Sequence, residues 1–548
     1  MKIQNIPQQR LAENKKEKQN IKFTGATDAL SLGLRFLDTN QAWGANAVDL
    51  GSMVIPRTTV DFVNRGPAAG METGRREASG TINHSLIGVY GSLAALAFSM
   101  AANKSFGIRA DKIFADNETY DIIGKLYHDN VQNNKSKLSK EHLQMTLSEV
   151  FSNLTTNASG SKKSLDKFDV DKIVARYMSV LYNPDVAGDT IPKNTKQYLV
   201  NYITQATGFE TDYKLKAADK ETTNSLAGFV ENIYNVAKTL TKDKVIDAFK
   251  EPDFAKNKFI NSLKHINTGR TIAGMAIASG IGMSIQPLNI YLTKKKTGSD
   301  GFVGVEGREK DKSFNFKLWK AAAALVFGGG IVADLARKEG GLLKNIQYKG
   351  MVPTLNQFKL IYGLTIMSRF IVARDKDELR ESVVKDVLGF FNWLVLGNFV
   401  AKAVAMGMDK NKSLIKNPEE KSFFKSKLKT RDEVMIEGLK RLNIDAVSND
   451  GKALTFAQMS KKIPAGEVGK AIRKQLRILN VAQIAGYLYS GLVLGVGIPK
   501  LNIYMTNKSE AKRKARLAEA KALNNESVQA SNTVGQYQQI NMQTYLNK

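Results

Sequence analysis

The chain has 548 residues, 43% of them hydrophobic and 24% charged, and this balance excludes disorder along the whole chain. It contains no cysteine, which excludes disulfides, thiolate catalysis and metal sites built on cysteine. The formal net charge of +28 predicts an anionic partner, and the basic residues cluster beside apolar runs. That placement favours a lipid bilayer with anionic head groups as the partner and disfavours nucleic acid.

The N-terminal part of the chain divides into a tail and the start of an apolar unit. Residues 1–23 are predicted to form a flexible basic tail, because they lack the uninterrupted apolar core of a signal peptide. Residues 24–103 combine an amphipathic segment, "LGSMVIPRTTV" from Leu50, with an apolar run, "SLIGVYGSLAALAFSMAA" from Ser85. No face of this run is charged, whereas helices in soluble cores keep a polar stripe. The run therefore predicts a membrane helix, close to the about 20 residues that a bilayer requires.

Residues 104–269 are predicted to form an inserted polar domain made of helices. The stretches "FDVDKIVARYMSVLY", from Phe168, and "LAGFVENIYNVAKTL", from Leu226, both carry apolar residues at helical spacing. Acidic residues are almost as frequent as lysine in this insert, so most of the excess positive charge lies elsewhere. The insert is the part of the chain that we expect to bind protein partners.

Two further apolar segments follow the insert. Residues 270–296 are predicted to hold the second apolar helix of the unit, "TIAGMAIASGIGMSIQPLNIYLT" from Thr271, which is long enough to span a bilayer. Residues 297–349 are predicted to form a linker with a short, intensely apolar run, "AAAALVFGGGIVA" from Ala321. This run is too short to span unless its flanks join it.

Residues 350–507 are predicted to repeat the unit. They contain an amphipathic segment, "YGLTIMSRFIV" from Tyr362, and two apolar runs at 387–408 and 481–506, separated by a shorter and basic insert. Residues 508–548 are predicted to form a basic helix and then a disordered tail rich in glutamine, asparagine and serine.

Duplication is indicated by two nearly identical stretches, "SIQPLNIYLTKKK" and "GIPKLNIYMTNK". Superposing Leu288 on Leu501 aligns small residues four apart in both copies, and this spacing lets two helices approach closely. The helix-packing residues predicted in this way are Ala278, Gly282, Gly491 and Gly495.

The amphipathic segments of the two copies correspond as well. Their superposition aligns Arg57 with Arg369, and each segment is followed by an Arg-Glu pair, at 76–77 and 380–381, that we interpret as a hinge. Each copy also has a proline just before its "LNIY" motif. The candidates for a polar path or a helix break are Pro287, Asn289, Pro499, Asn502, Arg57 and Arg369.

Two interpretations of these polar residues remain. Transporters use broken helices at corresponding positions of two repeats to line a substrate site. Alternatively, proline and asparagine end each helix at the membrane surface, and this second interpretation is favoured because both prolines lie close to the lysine-rich exits.

No catalytic residue, cofactor or metal site is predicted. The stretch "PAGEVGKA", from Pro464, lacks the first glycine and the final hydroxyl residue of a phosphate-binding loop, and no serine stands in a G-x-S-x-G elbow. The four histidines never occur at the i, i+4 spacing that turns two ligands toward one metal.

The predicted fold is all-α: a duplicated polytopic helical membrane protein with an inserted polar helical domain and flexible termini. The expected function is a non-catalytic scaffold or assembly role in a membrane. The alternatives are a transporter or channel built from two repeats, and a soluble or peripheral helical protein with a Gly/Ala-rich core.

The stretch "NIKFTG", from Asn20, together with the glycine-rich apolar runs, resembles uncharacterised bacterial membrane-associated proteins. The resemblance implies no activity. The expected location is the bacterial cytoplasmic membrane, with the basic termini in the cytoplasm. The basic second insert opposes this orientation, so the side on which each insert lies stays open.

Overall fold

The computed structural model describes residues 30–35, 47–156, 163–186, 189–208, 213–305, 307–391, 397–416, 422–423, 426–447 and 453–546. The protein is 75% helical with few strands, which confirms the all-α class in outline. The predicted N-terminal tail, residues 1–23, lies outside the described residues.

Short helical segments at 30–35 and 47–49 and a π-turn at Leu50–Val54 precede the first long helices. The helices of the N-terminal half are α1 (Ile55–Arg65), α2 (Pro67–Ser85), α3 (Ile87–Phe106), α4 (Asn117–Asn133), α5 (Ser139–Ser152), α6 (Lys167–Leu181), α7 (Lys193–Thr207), α8 (Leu226–Thr239), α9 (Asp243–Ala248) and α10 (Lys258–Thr297). Those that follow are α11 (Phe314–Ala324), α12 (Gly330–Arg337), α13 (Gly341–Asn345), α14 (Leu355–Val372), α15 (Lys376–Phe391), α16 (Gly397–Met408), α17 (Arg431–Arg441), α18 (Phe456–Lys462), α19 (Glu467–Tyr489) and α20 (Ile498–Leu546). Further π-turns at Leu325–Gly329 and Ser490–Gly497 join α11 to α12 and α19 to α20.

Within the described part of the chain, three helices are long and apolar enough to cross a membrane. They are Lys258–Thr297, Phe314–Arg337 and Glu467–Asn525, and α2 with α3 would add a fourth as one span bent by 50°. The short run at Ala321 therefore does gain length from its flanks. In the run at 387–408, α15 is described to Phe391 and α16 from Gly397. Residues 392–396 lie outside the described residues, so a single helix over this run stays a prediction.

The first insert folds around its own apolar core, with α4 to α8 enclosing side chains such as Phe151, Tyr177 and Phe229. It also contains a four-stranded antiparallel sheet in the order β2-β1-β3-β4, which the helical prediction missed. The strands are β1 (Leu154–Thr156), β2 (Lys163–Ser164), β3 (Tyr213–Ala217) and β4 (Lys220–Asn224). Ala218 and Asp219 have positive φ angles of 49° and 58°, which allow the two-residue turn between β3 and β4.

The second insert contacts the first. Lys440 Nζ donates a hydrogen bond to the carbonyl of Gln205 (2.9 Å), and Val447 packs into the core of the first insert. Helix α10 starts at the first insert and α19 starts in the core of the second. Since α10 is 40 residues long, its "LNIY" end lies tens of ångströms from the inserts. Both inserts therefore lie on one side of the bundle, and both "LNIY" ends point away from it.

Three local expectations differ from the structure. Helix α10 continues through Pro287 to Thr297, and α20 starts just before Pro499, so neither "LNIY" motif ends its helix. Both Arg-Glu pairs lie inside helices, α2 and α15, and not at hinges. The chain after residue 523 stays helical to Leu546. It contains no proline and a single glycine, so nothing in its backbone interrupts the helix that α20 has started.

Candidate functional site

Helix α2 buries its polar residues at the centre of the helical bundle. Glu72, Arg76, Glu77 and Asn83 are 5%, 8%, 9% and 2% exposed. The neighbouring helices instead expose large apolar side chains to the outside, among them Leu93 of α3, Ile277 of α10 and Leu492 of the π-turn after α19. Only 39%, 17% and 28% of the three apolar windows is buried inside the protein. The bundle therefore buries the charged residues of α2 beside apolar clusters of its own, and its outside carries large apolar side chains.

Charged side chains from four helices meet around Glu77. Its carboxylate pairs with Arg57 Nη1 (3.1 Å), Arg76 Nε (3.1 Å) and Lys385 Nζ (3.2 Å). Arg369 Nη1 lies 4.0 Å from the same carboxylate and 2.7 Å from Asp386 Oδ1. We call Arg57, Arg76, Glu77, Arg369, Lys385 and Asp386 the inner network. It joins α1 and α2 to α14 and α15, so it spans the two halves of the chain.

A second set of ion pairs, the outer network, continues toward the "LNIY" ends. Arg374 binds Glu72 (2.6 Å) and Glu378 (2.9 Å). The other ion pairs of the outer network are Arg65 with Asp61 and Glu381, Arg308 with Asp375, Asp377 and Glu510, Arg380 with Asp377, and Arg513 with Glu510.

The charges of the two networks together are balanced, because the acidic and basic members are equal in number. The cavity that they enclose measures about 30 Å³. That volume holds about two water molecules. Burying charges is costly unless each finds a partner, and here the partners come from opposite halves of the chain. The networks therefore hold the helices together around a small cavity.

The two candidate prolines lie beside carbonyl groups that the other half of the chain binds. Proline has no N–H, so Pro287 leaves the carbonyl of Met283 without its helical donor, and the Ser368 hydroxyl donates to it instead. At the π-turn, Ile498 N–H bonds to Val493, five residues back. In the same register the backbone donor to the Leu494 carbonyl would be residue 499, but Pro499 has no N–H and leaves that carbonyl without a backbone donor.

The Leu494 carbonyl accepts a hydrogen bond from Arg57 Nε (3.1 Å). Ser368 and the aligned Arg369 belong to the second amphipathic segment, and Arg57 belongs to the first. Each amphipathic segment thus binds the proline-containing helix of the other copy.

The asparagines of the "LNIY" motifs bind neighbouring helices. Arg75 donates to Asn289 Oδ1 (3.2 Å) and to the Thr293 hydroxyl (2.8 Å). In the other motif, Asn502 Nδ2 donates to the Glu381 carbonyl (3.2 Å). Arg380 Nη2 donates to the Thr506 hydroxyl (2.7 Å), and Thr506 corresponds to Thr293. An arginine thus holds the threonine after "LNIY" in both copies.

The four predicted packing residues lie where helices approach closely. Ala278 is fully buried, and its carbonyl accepts a hydrogen bond from Asn83 Nδ2 (3.1 Å). A Cβ atom on Gly282 would come within 2.4 Å of the Thr365 hydroxyl oxygen.

The other copy has the same crossed arrangement. A Cβ atom on Gly495 would come within 2.4 Å of the carbonyl oxygen of Ser52, and one on Gly491 would lie 3.9 Å from the Ser52 Cα. Gly282 thus faces α14, and Gly495 faces the segment 50–56.

Sequence reasoning found Arg57 and Arg369 but missed most of both networks. A signal was present in α2, where Glu72, Arg76 and Glu77 precede an uncharged apolar run at a spacing that places them on one face. A polar face next to an apolar run resembles a solvated helix surface. Only the partners in α14 and α15 reveal that this face is buried.

Comparison of the chain with models of protein families, with curated proteins and with solved structures finds no match.

Proposed function

We propose that the chain is an integral membrane protein with a non-catalytic scaffold or assembly role, built from two copies of one helical unit. The observation that carries the proposal is the reversed polarity of the bundle: charges are buried around Glu77, and apolar side chains cover the outside. In water such a surface would be costly, whereas lipid favours it. The same observation disfavours the soluble alternative, in which the apolar faces should be covered.

The crossed contacts support the duplication. Arg57 and Ser368 bind carbonyls beside Pro499 and Pro287, and Gly495 and Gly282 face the opposite amphipathic segments. If the similar stretches were coincidental, we would not expect each amphipathic segment to contact the proline-containing helix that follows the other one. We interpret the arrangement as two units that exchange their amphipathic helices.

The assembly role rests on what projects from the bundle. The two inserts form a joined polar body on one side, with cores of their own, and offer a surface for protein partners. On the other side, exposed Tyr291 and Tyr504 precede the lysine-rich ends of the "LNIY" helices. Tyrosine followed by lysine is typical of the boundary between acyl chains and anionic head groups. We propose that this boundary faces the cytoplasm of a bacterial cell.

A transporter or channel is the second candidate. Ionisable residues within a bundle often mark an ion or substrate path, and the inner network lies where the two copies meet. The balanced pairing and the small cavity favour a structural role over this one.

Membrane fractionation followed by alkaline extraction tests the membrane part of the proposal. We expect the expressed chain to stay in the alkali-resistant pellet. Release into the supernatant by alkali would contradict integral insertion. Ion flux into vesicles that carry the purified chain separates the two candidates. If the chain is a scaffold, the flux should equal that into vesicles without protein. A larger flux that Glu77→Gln abolishes would favour the transporter.

A further inference from the structure

A second and larger cavity lies between the N-terminal helical segment, the start of α17 and α19. Its volume is about 440 Å³, within the range of sites that hold small molecules. Apolar side chains from three parts of the chain form much of its wall, among them Met53, Leu479, Ala482 and Leu494. The wall includes Leu494 of the π-turn, and π-turns are frequent at functional sites.

Asp49 is the one carboxylate among the described residues of this wall. Its side chain makes no hydrogen bond or ion pair with any described residue. The two cations of the wall are engaged elsewhere: Lys429 pairs with Glu437 (2.7 Å), and Arg431 Nε donates to Asn480 (2.9 Å). Among the described residues of the wall, Asp49 is thus a carboxylate without a bonded cation.

The pKa of Asp49 agrees with a carboxylate that has no cation bonded to it. Burial raises the pKa of its carboxyl to about 7, the nearby positive charge of Arg57 opposes this rise, and Glu77 adds to it. A carboxylate that gained a bound cation would return to its ionised form.

We propose that this cavity binds a protonated organic amine with a compact apolar body. The ammonium group would pair with the carboxylate of Asp49, and the apolar body would lie against Met53, Leu479 and Leu494. A purely apolar ligand would leave Asp49 without a partner, and an anion would face its negative charge. This site is additional to the scaffold role and does not depend on it.

The test compares three ligands that differ mainly in the charge of one end: phenethylamine, 2-phenylethanol and 3-phenylpropanoate. Binding to the purified full-length chain is measured by isothermal titration calorimetry and by the shift in Tm. We expect saturable binding of phenethylamine alone. Because Asp49 must be ionised, affinity for the amine should be about tenfold weaker near pH 6 than near pH 8. Equal binding of the alcohol, or no saturable binding of the amine, would overturn the proposal.

Two variants locate the site from opposite walls. Asp49→Asn removes the charge, and Ala482→Phe fills the cavity without changing any charge. Each should weaken amine binding about tenfold or more, whereas Asp171→Asn, on the exposed surface of the first insert, should leave it unchanged. Ala482→Phe keeps the test valid if Asp49→Asn does not fold. Retained affinity in either folded variant would overturn the proposal.

Discussion

The first insert and the helical bundle solve the same packing problem with opposite residues. In the insert, Ile123, Phe151 and Phe229 are fully buried in one large apolar core. In the bundle, Arg57 and Glu77 are buried, and several large apolar side chains of α3 and α10 lie outside. One chain thus contains a region with an apolar interior and a region that buries a cluster of charges. The comparison teaches that hydrophobicity along the sequence locates the bundle but does not indicate which face of a helix points inward.

The largest expected effect is at the centre of the inner network. Glu77→Gln leaves Arg57, Arg76 and Lys385 without their shared anion, and we expect a loss of about 3–5 kcal/mol in the free energy of unfolding. The matched control is Glu231→Gln in the insert, where Glu231 pairs with Lys196 at the surface and should cost under about 1 kcal/mol. Chemical unfolding of the purified chain measures both. Equal effects would remove the distinction between the two regions.

Close packing between Gly495 and the segment 50–56 gives the next effect. Gly495→Ala places a Cβ atom against the backbone of Ser52, and we expect a loss of about 1–3 kcal/mol. Gly280→Ala, on the open face of α10, meets no atom within 4 Å. Alanine favours the helix there, so stability should rise by about 0.5–1 kcal/mol. Thermal unfolding of the two variants checks the sign, and stabilisation by both would contradict the close approach.

A smaller effect tests the carbonyl beside Pro287. Ser368→Ala removes the hydroxyl that binds the Met283 carbonyl, and we expect a loss of about 1–2 kcal/mol in the free energy of unfolding. Pro287→Ala restores a backbone donor, so the loss should shrink when both substitutions are combined. Ser284→Ala, at an exposed hydroxyl of the same helix, is the control and should change stability by under about 0.5 kcal/mol. If the double variant lost the sum of the two single losses, the Ser368 hydroxyl would not be replacing the backbone donor that Pro287 lacks.

The last prediction concerns the pH dependence of stability and involves Asp49, which lies between the bundle and the second insert. Because burial raises its pKa to about 7, the folded protein retains a proton there that the unfolded chain has released. Stability therefore falls as the pH rises from about 4 to about 7. Asp49→Asn should lack this fall, so it should be more stable than the unsubstituted chain above pH 7 and differ little from it near pH 4. Parallel stability curves for the two proteins would contradict the shift.

Local patterns in the sequence predicted the apolar helices, because they depend on spacing within one helix. The same kind of spacing is the basis on which packing residues are predicted at 278, 282, 491 and 495. The strands β3 and β4 were missed, since Tyr213 and Leu215 are too few to establish an alternating pattern. The charged networks were missed for a different reason. The residues that neutralise Glu77 come from α1 and α15, and the separation of Lys385 from Glu77 along the chain conceals their contact.

The most direct test determines which side of the membrane each end of the bundle faces. The chain is suited to cysteine labelling because it has no native cysteine. Single cysteines are introduced at Ser179 and Lys461 in the two inserts, and at Ser299 and Ala520 beyond the "LNIY" motifs; all four positions are exposed. They are labelled in sealed vesicles with an impermeant maleimide. Ser179→Cys and Lys461→Cys should react from one side of the membrane, and Ser299→Cys and Ala520→Cys from the other. Labelling of all four from the same side would contradict a bundle that crosses the bilayer with its charges inside.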